Sequence, residues 1–309
     1  MADMQEIRFV SKARNEKDSS NVEPTCPRCR DTARLVWQKN LGGRDWWLAE
    51  CRCGLFFTWP QPNLNDIRGF YADSYHVSPD AVENAFRRKF QRYVDLIVAN
   101  VRPGRSLDVG CTTGLLPALL RQHGFQAEGL EINAKTAHYG AEAHGLPITI
   151  GSFEDYDVPT ASFDLLTMCD VVEHTVDPVA SLRKANRLLR PGGAALVTFP
   201  DILSLESRYW RALSRLFRRD WLWLNCHVPL HTWEFNKHVA CNCFAAAGFS
   251  IVRFMRQSSL LLSCNEWNQS RKVALLGMPL RPLAMPCAAS WLGTGMIFLL
   301  RKDHEVTER

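Results

Sequence analysis

The sequence has no apolar run of signal-peptide length near its start; residues 1–22 are polar and charged, with acidic side chains as early as Asp3 and Glu6. Export is therefore not expected, and the chain is expected to stay in the cytoplasm. Charge of one sign is also scarce in excess. The net charge is +5 from 37 basic and 32 acidic residues, too slight an imbalance to mark a nucleic-acid binder. Internal repeats and low-complexity tracts are missing, which excludes solenoid architecture. A charge-free stretch does occur at residues 282–300, but two prolines and two glycines interrupt it. No transmembrane span is expected there.

What remains is a chain of 309 residues, 46% hydrophobic, long enough for one good-sized α/β domain and a small accessory module. Residues 1–22 are expected to form a flexible leader. From 23 to 62 cysteines, tryptophans and glycines punctuate short strand-like runs (ARLVWQ, DWWLAE, GLFFTW), the pattern of a compact β module. Residues 63–84 form a connector. Beyond it, Phe86, Phe90, Tyr93, Ile97 and Val101 recur at helical spacing, predicting a helix of about five turns that leads into the main domain, residues 85–309. There, strand signals (SLDVG, AEGLEI, ITIG, FDLLTMCDVV, AALVTF) alternate with helical ones, which predicts a doubly wound, mainly parallel sheet. Ligands of such sheets sit beyond the carboxyl ends of the strands.

Eleven cysteines in a chain without an export signal point to metal ligation or burial rather than disulfides. Cys26-x-x-Cys29 and Cys51-x-Cys53-Gly54 stand 21 residues apart, two knuckles able to close a tetrahedral site of four cysteines. Zinc suits four thiolates, and it stabilises a β module of this size that has little core of its own. Four thiolates leave no open coordination position, so the expected role is structural.

In the main domain, SLDVG is followed by CTTG and a helix, with Gly110 and Gly114 at the turn and Thr112 between them, where a G-x-G-x-G loop has its middle glycine. Glu131 ends the next strand, 23 residues after Asp108, where a carboxylate can accept both hydroxyls of a ribose. Asp108 stands just before the first glycine, and its charge would repel a pyrophosphate at the helix N-terminus. The site is expected to take a cationic, phosphate-free nucleoside.

The ordered blocks LDVGCTTGLL, GLEIN, GSFEDYDVPTASFDLLTMCDVVEHTVDP and LLRPGGAALVTFPD resemble the motifs of class I S-adenosylmethionine (SAM) dependent methyltransferases. The resemblance implies a seven-stranded Rossmann-like sheet. It places Asp108, Gly110, Cys111 and Gly114 at the methionine part of SAM, Glu131 at the ribose, Ser152, Phe153 and Glu154 at the adenine, and Asp170 beside the cofactor. The cysteine module with GLFFTWPQPNLNDIRGFYADSYH resembles the N-terminal zinc-binding region of bacterial methyltransferases acting on sugars, lipids or other secondary metabolites.

That similarity makes the expected activity methyl transfer to a small-molecule, glycan-precursor or lipid acceptor, at oxygen or, as an alternative, at carbon of a sugar nucleotide. A binding protein that keeps the fold while the ribbon recruits a partner is the rival from another class. Where the acceptor must lose a proton, His174 (in VVEHTVDP) and His231 (in CHVPLHTWEF) are the candidate bases, since imidazole titrates near neutrality. Residues 201–235 are expected to form a substrate lid. Within it, 207–224 predicts an amphipathic helix with Tyr209, Trp210, Leu213, Leu216 and Phe217 on one face and Arg208, Arg211, Arg215, Arg218 and Arg219 around the rest, suited to an anionic acceptor or a peripheral membrane contact.

Overall fold

A computed structural model describes residues 23–41, 43–74, 79–217, 227–257 and 293–303. The leader 1–22, Arg218, Arg219 and most of the stretch 282–300 lie outside the described residues.

The cysteine-rich region forms an antiparallel meander of β1 (Arg34–Leu41), β2 (Arg44–Glu50) and β3 (Phe56–Trp59). Leu35 pairs with Ala49 and Trp47 with Trp59. Alternation in β2 turns Trp46 and Leu48 inward, where they pack with Trp37, Phe56, Ile202 and Val228. Two helices follow, α1 (Leu64–Ser74) and α2 (Pro79–Val98). The second carries the expected apolar face, with Tyr93, Val94 and Ile97 fully buried.

The main sheet is built from β4 (Arg105–Val109), β5 (Gln126–Glu131), β6 (Ile148–Ile150), β7 (Phe163–Cys169) and β8 (Leu189–Pro200). Helices α3 (Leu115–Arg121), α4 (Ala134–His144) and α5 (Pro178–Leu188) connect them. Local chemistry sets the helix starts: Asn133 and Asp177 cap α4 and α5 by accepting backbone N–H groups of the first turn, and Pro178 opens α5. After β8 come α6 (Leu205–Phe217), the two-residue β9 (Trp233–Glu234), α7 (Lys237–Ala246), β10 (Phe249–Gln257) and β11 (Gly295–Lys302). The seven-stranded order is β10-β11-β8-β7-β4-β5-β6, with β4 to β8 parallel and β11 inserted antiparallel. This is the doubly wound, mainly parallel sheet that the alternation predicts. Strand order reverses at β4, so the crevice opens beyond β4, β5 and β7.

Several features differ from the sequence reading. The last two strands leave no clear signal in it. Part of the charge-free stretch is β11, whose residues Met296 to Leu300 are core. Strand β9 pairs with β3, so the N-terminal sheet takes its fourth strand from the segment between α6 and α7, far along the chain. The lid helix buries only part of its apolar stripe, chiefly Trp210. Its buried residues are Glu206, Ser207, Trp210 and Ser214, whereas Leu216 is 73% and Phe217 51% exposed. Polar partners decide this: Glu206 accepts from Thr294 and Ser207 bonds to Ser204 and the carbonyl of Asp201, which draws that face inward.

Candidate active site

A cavity opens beyond the carboxyl ends of β4, β5 and β7, and it brings together Asp108, Gly110, Cys111, Glu131, Ser152, Phe153, Glu154, Asp170 and His174. Gly114 does not reach it. That glycine precedes α3 at φ +76, where a Cβ would press on Leu146 at 2.9 Å, so its work is to let α3 sit tightly on its neighbours. Gly110, at φ +69, would drive a Cβ to 2.7 Å from Val171 and so keeps the turn open at the cavity. Thr112 holds φ 49, the left-handed region in which a β-branched residue is strained.

Each carboxylate is fixed by the fold. Glu131 accepts the backbone N–H of Thr112 on one oxygen and of Asn133 on the other, both at 2.8 Å. A carboxylate has about four acceptor sites, so each oxygen keeps a lone pair for a ribose hydroxyl. Burial raises the Glu131 carboxyl, and those backbone bonds oppose the rise. Asp108, 4% exposed, accepts from the Thr167 hydroxyl at 2.5 Å. Burial first, with the nearby Glu131 charge adding to it, pushes its pKa up to about 7 against the lowering effect of Thr167. A bound cation would restore that charge. The turn Ser152–Glu154 is held from below by Lys184, which donates to the carbonyls of Phe153 at 2.7 Å and Glu154 at 3.0 Å.

Lys89 went unnoticed in the sequence. It projects from α2 into the cavity wall between Phe86 and Phe90, itself 5% exposed, and its ammonium pairs with Asp170. Asp170 follows β7 at φ 56 and also accepts from Thr198 at 2.8 Å. Burial alone would raise Asp170, but the Lys89 charge and hydrogen bond hold its carboxyl below the usual range, while Asp170 holds Lys89 protonated. One signal was present: Lys89 lies three residues after Phe86 and four before Tyr93, a lone charge on an apolar helical face.

The two histidines are stacked in depth. His174 lines the cavity, and its Nδ1 lies 3.1 Å from the Leu230 carbonyl. A carbonyl only accepts, so Nδ1 carries the proton and Nε2 is the acceptor of the neutral ring. His231 stands behind it edge-on, ring centres 4.6 Å apart, 4% exposed and outside the cavity lining. Its Nδ1 meets Glu234 at 2.9 Å. Burial, with mutual repulsion added at His174, pushes both pKa values down to about 3. Glu173, His174 and His231 also bring three donor atoms within 4.8 Å of one another, close enough to share a metal ion.

The cysteine knuckles converge as well. Cys26 and Cys53 sulfurs lie 3.7 Å apart and those of Cys29 and Cys51 3.4 Å, with all four within 4.8 Å. A tetrahedral ion with Zn–S bonds of about 2.3 Å sets its sulfurs about 3.8 Å apart, so the donor set fits zinc. A disulfide needs about 2.05 Å.

Fold and cavity together have the architecture of a class I methyltransferase domain. The chain belongs to the methyltransferase-domain family, which matches residues 82–253. Among curated relatives, a ubiquinone biosynthesis O-methyltransferase from Parvibaculum lavamentivorans is 34% identical over 170 residues, covering 50% of this chain and 62% of the relative. Its counterpart from Paramagnetospirillum magneticum is 30% identical over 192 residues, 59% of this chain and 72% of that one. The match thus spans under two thirds of the Parvibaculum protein, and only 40% of one from Xanthomonas oryzae. A solved SAM-dependent methyltransferase from Thermotoga maritima superposes with a TM-score of 0.50 at 15% identity, over 77% of this chain and 98% of its own. A chain of the Haloferax volcanii complex between the Trm112 methyltransferase activator and a methyltransferase gives 0.51 at 12%, over 77% and 98%. At such identities these two likenesses concern the fold. Among the described residues no helix is long and apolar enough to cross a membrane.

Proposed function

We propose that this chain transfers a methyl group from SAM to a hydroxyl of a small-molecule acceptor, with glycan precursors and lipids inside that class. The observation that supports it most is the grouping of three acidic side chains, Asp108, Glu131 and Asp170, around one cavity at the sheet's switch point. Bound SAM supplies a methyl group already activated for in-line displacement, so orientation of the acceptor is the main task left to the protein. On this reading Glu131 holds the ribose hydroxyls, Ser152 to Glu154 border the adenine, and Asp108 and Asp170 favour the cationic end. Oxygen is favoured over carbon because the relatives carry the name O-methyltransferase.

A base works best with a pKa near the operating pH, and neither histidine has one. His174 is therefore assigned as a hydrogen-bond acceptor that orients the hydroxyl, and His231 with Glu234 as the pair that positions it. His174→Ala is expected to lower turnover more than His231→Ala, with neither abolishing SAM binding. If His231→Ala flattens the pH profile and His174→Ala leaves turnover intact, His231 is the base and this assignment fails.

Zinc held by the four cysteines, as a structural ion, completes the proposal. At the end of α6 the exposed Leu216 and Phe217, with Arg215 beside them, also favour a peripheral membrane contact through 207–224. Calorimetric titration with SAM, followed by mass analysis of extract incubated with methyl-labelled SAM, tests the main reading. Absence of SAM binding overturns the enzyme assignment; label attached to carbon or nitrogen overturns the choice of oxygen.

A further inference from the structure

A second concavity lies between the N-terminal sheet and α6, with a volume of about 420 Å³, within the range of small-molecule sites. It shares no residue with the cofactor cavity. Its charged wall is one-sided: Arg34, Arg208, Arg211 and Arg215 against the single acid Glu50. Glu50 is already engaged by Arg34 at 2.5 Å. Arg211 donates to the carbonyl of Ile202 at 2.6 Å. Arg208 and Arg215 pair with no carboxylate among the described residues. Their spacing, with Arg211, of three and four residues puts these cations on one helical face, where like charges repel unless an anion intervenes.

The opposite wall is Trp37, 2% exposed, whose ring packs in the apolar cluster beneath the cleft. Guanidinium forks match phosphate oxygens in pairs. The apolar remainder of the wall, Val36 and Leu203 among it, suits an organic body attached to that anion.

We infer that this cleft binds the phosphate or diphosphate group of an organic ligand, gripped by Arg208, Arg211 and Arg215 of α6 against the N-terminal sheet. The inference does not depend on methyl transfer. Inorganic pyrophosphate is the probe, titrated calorimetrically into the full chain at low and at moderate salt. The expected result is saturable binding that weakens as salt rises, and that falls at least tenfold in R208Q/R215Q while the melting temperature stays within about two degrees. Co-sedimentation with vesicles containing phosphatidylglycerol separates the sources. Sedimentation that pyrophosphate displaces means that the group is a lipid headgroup, and pyrophosphate binding without sedimentation means a free phosphorylated ligand. Undetectable pyrophosphate binding at millimolar concentration, or equal binding by R208Q/R215Q, overturns the inference.

Discussion

At the scale of single residues, Asp108 links burial to pH. Its carboxyl is raised to about 7 by desolvation, so the stability it lends is fully present below the ordinary carboxyl range and is lost as pH rises through about 7. A bound cation reverses the preference, because it favours the ionised form. If SAM binds with Asp108 ionised, its affinity should rise about tenfold from pH 6 to pH 8, following the ionised fraction. Titrations at both pH values check this, and Asp108→Asn should flatten the profile; a flat profile in the unchanged protein would count against it. Thr112 offers a second residue-scale test. Its left-handed backbone costs about 1–2 kcal/mol, and glycine returns about 0.5–1 kcal/mol of that through a freer unfolded chain. Thr112→Gly should therefore hold or raise stability by up to about 1 kcal/mol, read from the denaturant midpoint. A clear loss would show that the threonine side chain contributes more than its strain.

At the scale of elements, α2 matters for more than its apolar face. Lys89 ties it to Asp170 at the end of β7, across the cavity. Removing one member of a fully buried pair costs about 3–5 kcal/mol, but the Asp170 side chain keeps 40% exposure, so about 1–2 kcal/mol is expected for Lys89→Met after solvent screening. Thermal unfolding measures that loss. SAM affinity should change as well, since Asp170 then faces the cavity without its lysine; unchanged affinity would reduce Lys89 to a structural tie. The elements themselves were legible wherever local chemistry is strong. Asn133, Asp177 and Pro178 start helices as capping rules require, and β4, β5 and β7 fall on their apolar runs. The orientation of α6 was not legible, because Glu206 and Ser207 become inward-facing only through partners such as Thr294 and Asp201, remote or non-helical in the chain. Lys89 was missed for the same reason: its partner lies 81 positions away.

At the scale of the molecule, the N-terminal sheet shares core with the main domain and is tied to it by hydrogen bonds to the segment around β9. Thr58 of β3 donates its hydroxyl to the carbonyl of His231 at 2.6 Å and its N–H to that of Thr232 at 3.0 Å. Thr232 in turn donates to the carbonyls of Glu173, at 2.7 Å through its N–H, and Thr175, at 2.6 Å through its hydroxyl. Asn236 reaches the carbonyl of Gly54, between the knuckles and β3, at 2.7 Å. The cysteine module therefore buttresses the loop carrying His174. If the four cysteines hold zinc as proposed, its chelation, or Cys51→Ser, is expected to lower turnover at least tenfold while SAM affinity stays within about threefold, because the carboxylates proposed to hold SAM, Asp108 and Glu131, sit on β4 and β5. Metal content, turnover and SAM titration on the same sample check this. Parallel collapse of SAM binding would mean that the module supports the whole domain rather than one loop.

Alternating strand and helix periodicity, the turn around Gly110 and Glu131 at a strand end determined the sheet and the place of the crevice, because each is a local pattern that survives in one dimension. The two cysteine knuckles foretold a group of four converging cysteines for the same reason, since spacing within each knuckle is local. Tertiary structure alone decided that β9 would close the N-terminal sheet, that Lys89 would face Asp170, that His231 would stand behind His174, and that three arginines of α6 would look across a cleft at Trp37. Those are meetings between segments far apart in the chain, and only the packing of the whole core specifies them.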